Sequence, residues 1–258
     1  MLNNNLFLIN SPLEQFEVVS FIGINAPLLG NLNFTLTNLG LYSVLVLLLV
    51  TALHYVGNNN KKLVPSKWSI ALESSFASIN SMVRSQIGSA NEVYLPFIYS
   101  LFFFIIISNL SGNVPYNYTV TTSLIVSIGL SFTIFIGVTI LGLRKHQLHF
   151  FSYFIPSGTP LGLVPLLVLI EFISYLARAF SLGIRLFANL VAGHTLLKIL
   201  STLLYQLFSA GVIMFFVTLV PFAIFTALIG LELAVSVIQA YVFCILTCSY
   251  IKDAIELH

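Results

Sequence analysis

Two arginines stand inside the most apolar part of the chain. Arg178 and Arg185 are seven residues apart in "RAFSLGIRLFANLVAGH", and no acidic residue lies between Glu171 and Glu232. An arginine at the centre of a bilayer costs roughly 2.5–3.5 kcal/mol on insertion scales. Ionisable side chains at such positions usually mark a proton or ion pathway. These residue types therefore indicate the movement of a small cation across a membrane.

Helical periodicity predicts that most of these polar residues share one face. At 100° per residue, Glu171, Arg178, Arg185 and Asn189 fall within about 80° of one another. His194 follows Arg185 by nine residues and is expected on the opposite side. Small residues occupy the charged face: Ser181, Ala188 and Ala192. Small side chains beside a charge allow another helix to approach closely.

A second apolar segment repeats the pattern. Glu232, Ser236, Gln239 and Asp253 form a slowly drifting line along the predicted helix. One interpretation is that the acids and arginines pair with each other inside the bundle. Ionisable groups at different depths on two successive helices favour a proton path instead. An arginine midway then suggests a barrier between two half-paths.

Composition predicts a membrane protein with several spans. The 258 residues are 58% hydrophobic and only 7% charged, whereas soluble domains average about 25% charged residues. Cys244 and Cys248 are expected to be small buried residues. The histidines do not form pairs typical of haem ligation, and no motif predicts a metal or other cofactor.

The predicted fold is all-α, with about five membrane helices and one amphipathic surface helix. The surface helix is expected over 68–87, where apolar residues recur at helical spacing among serines and charges. Apolar windows of sufficient length cover residues 35–56, 95–112, 120–143, 164–208 and 222–253.

The last two windows are too long to cross a bilayer upright. The segment from Val164 to Phe208 has one proline, Pro165, in its first turn. As a continuous helix it would span roughly 65 Å. Either the helices break at Gly183, Gly193 or Gly230, or they form a steeply tilted hairpin over about 164–256. Tilting leaves fewer backbone groups unsatisfied in lipid and is the favoured interpretation.

Basic residues predict the orientation. They follow the first and third spans: Lys61, Lys62, Lys67, Arg84, Arg144 and Lys145. The positive-inside rule puts these segments on the inner side and the N-terminus outside. Glu171 and Asp253 are then expected near the inner side, and Glu232 and His194 near the outer bend.

The sequence resembles the family of a subunits of the rotary ATP synthase, in their mitochondrial, fungal form. The similarity rests on "SLGIRLFANLVAGH" followed by "LELAVSVIQAYVFCILTCSYIKDA", and extends through "SNLSGNVPY" and "PSGTPLGLVPLLVLIEFISYLARA". The segment "SPLEQFE" is similar to the start of the mature fungal protein. This implies removal of residues 1–10 and a single membrane domain over 11–258. His194 and Glu232, exchanged relative to bacterial relatives, favour mitochondria.

The resemblance implies a role for each polar residue. Arg185 matches the essential arginine that faces a carboxylate on the rotating c-subunit ring, and Arg178 matches the accompanying basic position. The family's outer half-channel carries over to Glu232, His194, Asn189 and Gln239, and its inner half-channel to Glu171 and Asp253. The family also implies a multi-pass protein of the mitochondrial inner membrane, beside other stator subunits. It carries the proton path and not the ATP site.

This interpretation makes a geometric prediction and has two rivals. Residues expected to face the ring are Ser181, Ala188, Ala192, Ser236 and Gln239, whereas Leu190 is expected on the far face. One rival is another proton-coupled transporter, which would show an inverted repeat and broken helices. The other is a structural subunit of a respiratory complex, which would tolerate loss of Arg185.

Overall fold

The computed structural model contains six long helices preceded by a short hairpin. The strands are β1 (Ser20–Ala26) and β2 (Leu32–Thr37), and the helices are α1 (Asn38–Gly57), α2 (Lys67–Ile87), α3 (Leu95–Gly112), α4 (Leu124–His146), α5 (Val164–Ser209) and α6 (Val212–Ile255). The structure describes residues 13–26, 32–58, 64–114, 117–147, 150, 161–209 and 212–256. The predicted leader, residues 1–10, lies outside the described residues.

The predicted all-α membrane class is confirmed. Within the described residues, five helices are long and apolar enough to cross a membrane, and these are α1 and α3 to α6, with α3 counted from Asn91. The remaining helix, α2, covers the segment predicted to be amphipathic. Its position on a lipid surface stays a prediction.

The two halves of α2 differ in how much protein covers them. Ile79, Met82 and Val83 in the second half are buried in the main core, where α2 packs on α6, α3 and α1. Trp68 and Ile70 in the first half are exposed. The second half is therefore held by other helices, and only the first half keeps apolar side chains free for lipid.

The hairpin before α1 was not predicted. Strands β1 and β2 pair antiparallel, with Gly23 opposite Thr35. Asn38 ties this hairpin to the start of α1, because its amide donates to the Glu17 carbonyl at 2.9 Å and accepts from the Val19 N–H at 3.3 Å. The sequence interpretation missed the strands because it began with apolar windows long enough to span a membrane.

The helices pack closely where their side chains are small. On α5, Gly183 faces Ser127 and Ser131 of α4, both of which are buried. On α6, the Cys244 thiol lies 3.9 Å from the Ile98 carbonyl of α3. Cys244 and Cys248 are free and buried, as predicted.

The two last helices are long and unbroken. Helix α5 has 46 residues and α6 has 44, which correspond to about 69 and 66 Å. Neither Gly183 nor Gly193 interrupts α5, and Gly230 does not interrupt α6. The tilt of this pair relative to a membrane stays a prediction.

The expected start of α6 was wrong. The helix begins at Val212 and passes through Pro221, whereas the sequence predicted a start near Phe222. Proline removes one backbone N–H and usually bends a helix. Helices in membranes tolerate it because neighbouring groups satisfy the freed carbonyl.

Gly183→Ala tests the close contact between α4 and α5. An added Cβ would lie 2.6 Å from Ser131 Oγ and 2.9 Å from the Ser127 carbonyl oxygen. Because that oxygen belongs to helix backbone, α4 must shift, and we expect a destabilisation of about 1–3 kcal/mol. The measurement is the thermal midpoint of the purified complex.

Gly129→Ala on α4 is the matched control. An added Cβ there meets no atom within 4 Å. Alanine is favoured over glycine in a helix by roughly 0.5–1 kcal/mol, so this variant should be as stable as the native chain or slightly more so. Equal loss of stability in both variants would contradict the packing argument.

Candidate functional site

The polar residues of α5 and α6 meet in pairs along the length of the hairpin. Arg178 pairs with Asp253, Asn189 with Gln239, and His194 with Glu232. In each successive pair the α5 residue is later in the chain and the α6 residue is earlier. The helices are therefore antiparallel, and the two groups of charged residues lie at different levels of the hairpin.

Arg178 contacts two acids. We call this group the inner cluster (Glu171, Arg178 and Asp253), because the positive-inside rule assigns it to the inner side of the membrane. Its Nη1 lies 3.1 Å from Asp253 Oδ2, and its Nη2 lies 4.0 Å from Glu171 Oε1. Each side chain is about one third exposed. Internal pairing, the interpretation that the sequence disfavoured, is therefore correct for Arg178.

Two tyrosines that the sequence analysis did not select lie beside the inner cluster. Tyr175 and Tyr250 line a cavity of about 20 Å³ together with Arg178 and Asp253. The Tyr175 hydroxyl lies 2.8 Å from Thr139 Oγ1 on α4. A cavity of this size is comparable to a single water molecule. Only the position of the neighbouring helices could reveal these tyrosines.

Arg185 differs from Arg178 in its surroundings. Its side chain is exposed, and Ser181 Oγ lies 3.5 Å from its Nη2. Among the residues that the structure describes, no carboxylate lies within 4.0 Å of its guanidinium. Ala188 and Ala192 are exposed on the same face of α5. Arg185 thus presents a positive charge on an open surface of small residues.

Only part of the surface expected to face the ring is exposed. Ser181, Ala188 and Ala192 are exposed, whereas Ser236 and Gln239 are 0% and 6% exposed. Gln239 accepts a hydrogen bond from Asn189 Nδ2 at 3.1 Å. Ser236 faces α3, whose Asn109 donates to its carbonyl, and Gln239 faces α5.

Leu190 lies on the far face of α5 from Arg185, as predicted, but this face is buried. It is 2% exposed and belongs to the main core. The far side of α5 from Arg185 is covered by other helices of the same chain and not by lipid. A bulky residue at position 190 would therefore disturb folding.

The second charged group, the outer pair (His194 and Glu232), is well buried. His194 Nδ1 lies 3.2 Å from Glu232 Oε1, and the two side chains are 14% and 9% exposed. Gly193 makes room for the carboxylate, because a Cβ at that position would lie 2.9 Å from Glu232 Oε1. Phe16 packs against the imidazole with a centroid distance of 6.3 Å. These contacts fix the histidine and the acid against each other.

A buried polar network fastens α6 to α3 one turn from Glu232. Asn109 Nδ2 donates to the Ser236 carbonyl at 3.2 Å, and Asn113 Nδ2 donates to Ser236 Oγ at 3.0 Å. Thr121 Oγ1 donates to Asn109 Oδ1 at 2.8 Å. The sequence interpretation used "SNLSGNVPY" only as a family motif. The two asparagines in this motif are polar residues at the end of an apolar span, and this position could have identified the network from the sequence.

Two cavities meet at Glu232. The outer cavity, of about 880 Å³, is lined by His194 and Glu232 and by residues before α4 and in the N-terminal region, including Asn38, Asn113 and Tyr118. The hairpin groove, of about 370 Å³, lies between α5 and α6 and is lined by Asn189, Ala192 and Glu232. Glu232 is thus in contact with both spaces.

Two orphaned polar atoms mark the outer cavity as a place for water. Tyr118 Oη and Asn113 Oδ1 are buried and make no hydrogen bond to the described residues, and the buried Glu232 Oε1 has only His194 Nδ1 beside it, at 3.2 Å. All three residues line the outer cavity. Burial raises the pKa of Tyr118, so its hydroxyl keeps its proton at neutral pH and can both donate and accept. Buried polar atoms of this kind are normally satisfied by ordered water.

Comparison with known proteins assigns the chain to a family. A profile described as "ATP synthase A chain" matches residues 40–252. The chain is 71% identical over 252 residues to ATP synthase subunit a of Mycosarcoma maydis, covering 98% of this chain and 99% of the relative. It is 51% identical to that of Emericella nidulans, with 96% and 97% covered, and 48% identical to that of Marchantia polymorpha, with 96% and 99% covered. The chain belongs to the ATP synthase A chain family.

Proposed function

We propose that the chain is the stator subunit that conducts protons in the membrane sector of ATP synthase, in the mitochondrial inner membrane. Its moving partner is the ring of c subunits, whose carboxylates carry the protons. The observation that carries the proposal is Arg185, an exposed cation between two separated charged groups. Family membership disfavours both rivals, the transporter and the respiratory-complex subunit.

The outer half-channel starts at the outer cavity. Water held by its polar walls brings a proton to His194 and Glu232. Because Glu232 also lines the hairpin groove, it can pass the proton to the side of the hairpin that carries Asn189. Asn189 and Gln239, hydrogen-bonded to each other, supply polar atoms along that route. A ring carboxylate that reaches the groove is then neutralised.

Arg185 separates the outer route from the inner one. A guanidinium cannot be deprotonated in a protein, so it repels a hopping proton at every stage. It also favours the ionised form of a carboxylate that approaches it. The small residues around it, Ala188 and Ala192, let a partner helix come close enough for this interaction.

The inner half-channel ends at Glu171 and Asp253. A ring carboxylate that has released its proton near Arg185 leaves that proton on the inner side, where these two acids lie. Arg178 stands between them and contacts both. We assign Arg178 the role of an electrostatic anchor of the inner cluster.

Directional rotation follows from the separation of the two routes. A neutral carboxylate can turn into lipid, whereas an ionised one is held near Arg185, because burying a charge in hydrocarbon costs several kcal/mol. Each proton that crosses must therefore travel with the ring. This coupling needs both half-channels and the barrier between them.

Arg185→Ala tests the barrier. Proton-driven ATP synthesis should fall at least about 30-fold, which is roughly 2 kcal/mol at 1.36 kcal/mol per factor of ten. Assembly should persist, because the change shortens one exposed side chain. Arg185→Lys should also lose ATP synthesis, since an ammonium lacks the planar, permanently charged guanidinium that can bind a carboxylate through two hydrogen bonds.

The matched control is Arg144→Ala, which removes an exposed arginine from the last turn of α4. ATP synthesis is measured in membranes that contain equal amounts of assembled complex. Native rates in Arg185→Ala would refute the assignment, and a purely structural subunit would give that result.

Glu232→Gln tests the outer route. Positioned proton-transfer groups contribute about 100- to 10,000-fold, so proton flow through the membrane sector should fall by at least about 100-fold. Passive leak should not rise, because Arg185 is unchanged. Glu73→Gln, on the exposed face of α2, is the control. An increased leak in Glu232→Gln would mean that Glu232 belongs to the seal and not to the path.

Ala188→Trp tests whether the Arg185 face meets a moving partner. The indole adds bulk where a ring helix must pass, and overpacking typically costs about 1–3 kcal/mol. A clash repeated at every step should slow ATP-driven proton pumping more than it lowers assembly.

Ile136→Trp provides the comparison for Ala188→Trp. It adds an indole to α4 at a site that is 52% exposed, on a helix that does not carry Arg185. Pumping is measured at equal amounts of complex. The same rate in both variants would contradict a sliding contact at Ala188.

A further inference from the structure

Thr119 lies directly behind the outer pair. Its Oγ1 is 3.3 Å from His194 Nε2, the ring nitrogen that does not face Glu232. Thr119 is 4% exposed. It is absent from the walls of the outer cavity, which His194 and Glu232 both line. The threonine therefore contacts the histidine on the side of the ring away from Glu232.

The surrounding backbone fixes the position of Thr119. Its carbonyl accepts from Thr122 Oγ1 at 2.6 Å and from the Thr122 N–H at 3.3 Å. Gly112, at the end of α3, leaves the space that the threonine side chain occupies, since a Cβ there would overlap Thr119. The hydroxyl is thus held at a constant place relative to α3, while its hydrogen remains free to rotate.

The hydroxyl can match both protonation states of the outer pair. When Glu232 is ionised, it accepts from the Nδ1–H of neutral His194, and Nε2 must accept a hydrogen bond. When Glu232 is protonated, it donates to Nδ1, and the Nε2–H must donate. A threonine hydroxyl can donate in the first case and accept in the second. An apolar side chain of the same shape can do neither.

We propose that Thr119 is a positioning residue of the outer half-channel, whose reversible hydrogen bond holds His194 in both protonation states of Glu232. The proposal rests on the proposed function. It assigns the positioning of His194 to a residue outside α5 and α6. It also gives the segment between α3 and α4 a role in proton conduction.

The test compares two variants that separate the hydroxyl from the methyl group. Thr119→Val keeps the shape and removes the hydroxyl, and it should lower proton flow through the membrane sector about tenfold, because a buried ring nitrogen loses its partner. Thr119→Ser keeps the hydroxyl and should stay within about twofold of the native rate. Flow is measured under an imposed potential, at equal amounts of assembled complex.

A double-variant cycle shows whether Thr119 acts through His194. In a His194→Ala background, Thr119→Val should have no further effect, because the group that it positions is gone. Native flow in Thr119→Val would overturn the proposal. Equal losses in Thr119→Val and Thr119→Ser, or undiminished losses in the His194→Ala background, would also overturn it.

These outcomes remain separate from those of the proposed function. If Arg185→Ala abolishes ATP synthesis and Thr119→Val has no effect, only the role of Thr119 is refuted. If Arg185→Ala leaves synthesis intact, the proton path itself is refuted, whatever Thr119→Val does.

Discussion

Arg185, a cation on an apolar helix surface with none of the described acids beside it, is the constraint around which the structure is arranged. Arg185 is exposed, and the described carboxylates nearest to it along the hairpin are engaged elsewhere. Arg178 holds Asp253 at one end, and His194 holds Glu232 at the other. If any of these acids lay within reach, the guanidinium would be neutralised from inside the chain. Keeping them apart leaves the charge available for the ring carboxylate that we propose as its partner.

Close helix packing makes this separation possible. Gly193 lets Glu232 lie against α5, and Gly183 lets α4 approach the other side of the same helix. The lengths of α5 and α6 then carry the inner cluster and the outer pair to different levels of one rigid hairpin. Asn109 anchors α6 to α3 through the Ser236 carbonyl. The position of Glu232 therefore depends on the close approach of α6 to α5 and α3.

Sequence reasoning was most accurate where a property depends on the helix alone. The bounds of α5 agree within a residue, and the exposed face that carries Arg185 follows from periodicity. It failed where a second helix decides the outcome. Gln239, expected on an outer face, is buried against Asn189 of α5, and the far face that carries Leu190 is covered by other helices. The β-hairpin was missed because the search began with apolar spans, and the start of α6 was misplaced because the helix continues through Pro221.

The sequence by itself determined the membrane class, the apolar spans, the line of ionisable residues and the resemblance to a family. Hydrophobicity and the period of 3.6 residues depend only on residues that are close in the sequence, so they can be recognised without the tertiary structure. Only the tertiary structure decided which groups meet. Arg178 and Asp253 are 75 residues apart, as are Thr119 and His194. Periodicity gives the direction of a side chain around its own helix, but a pair also requires the relative height and rotation of two helices, and these are set by packing across the whole bundle.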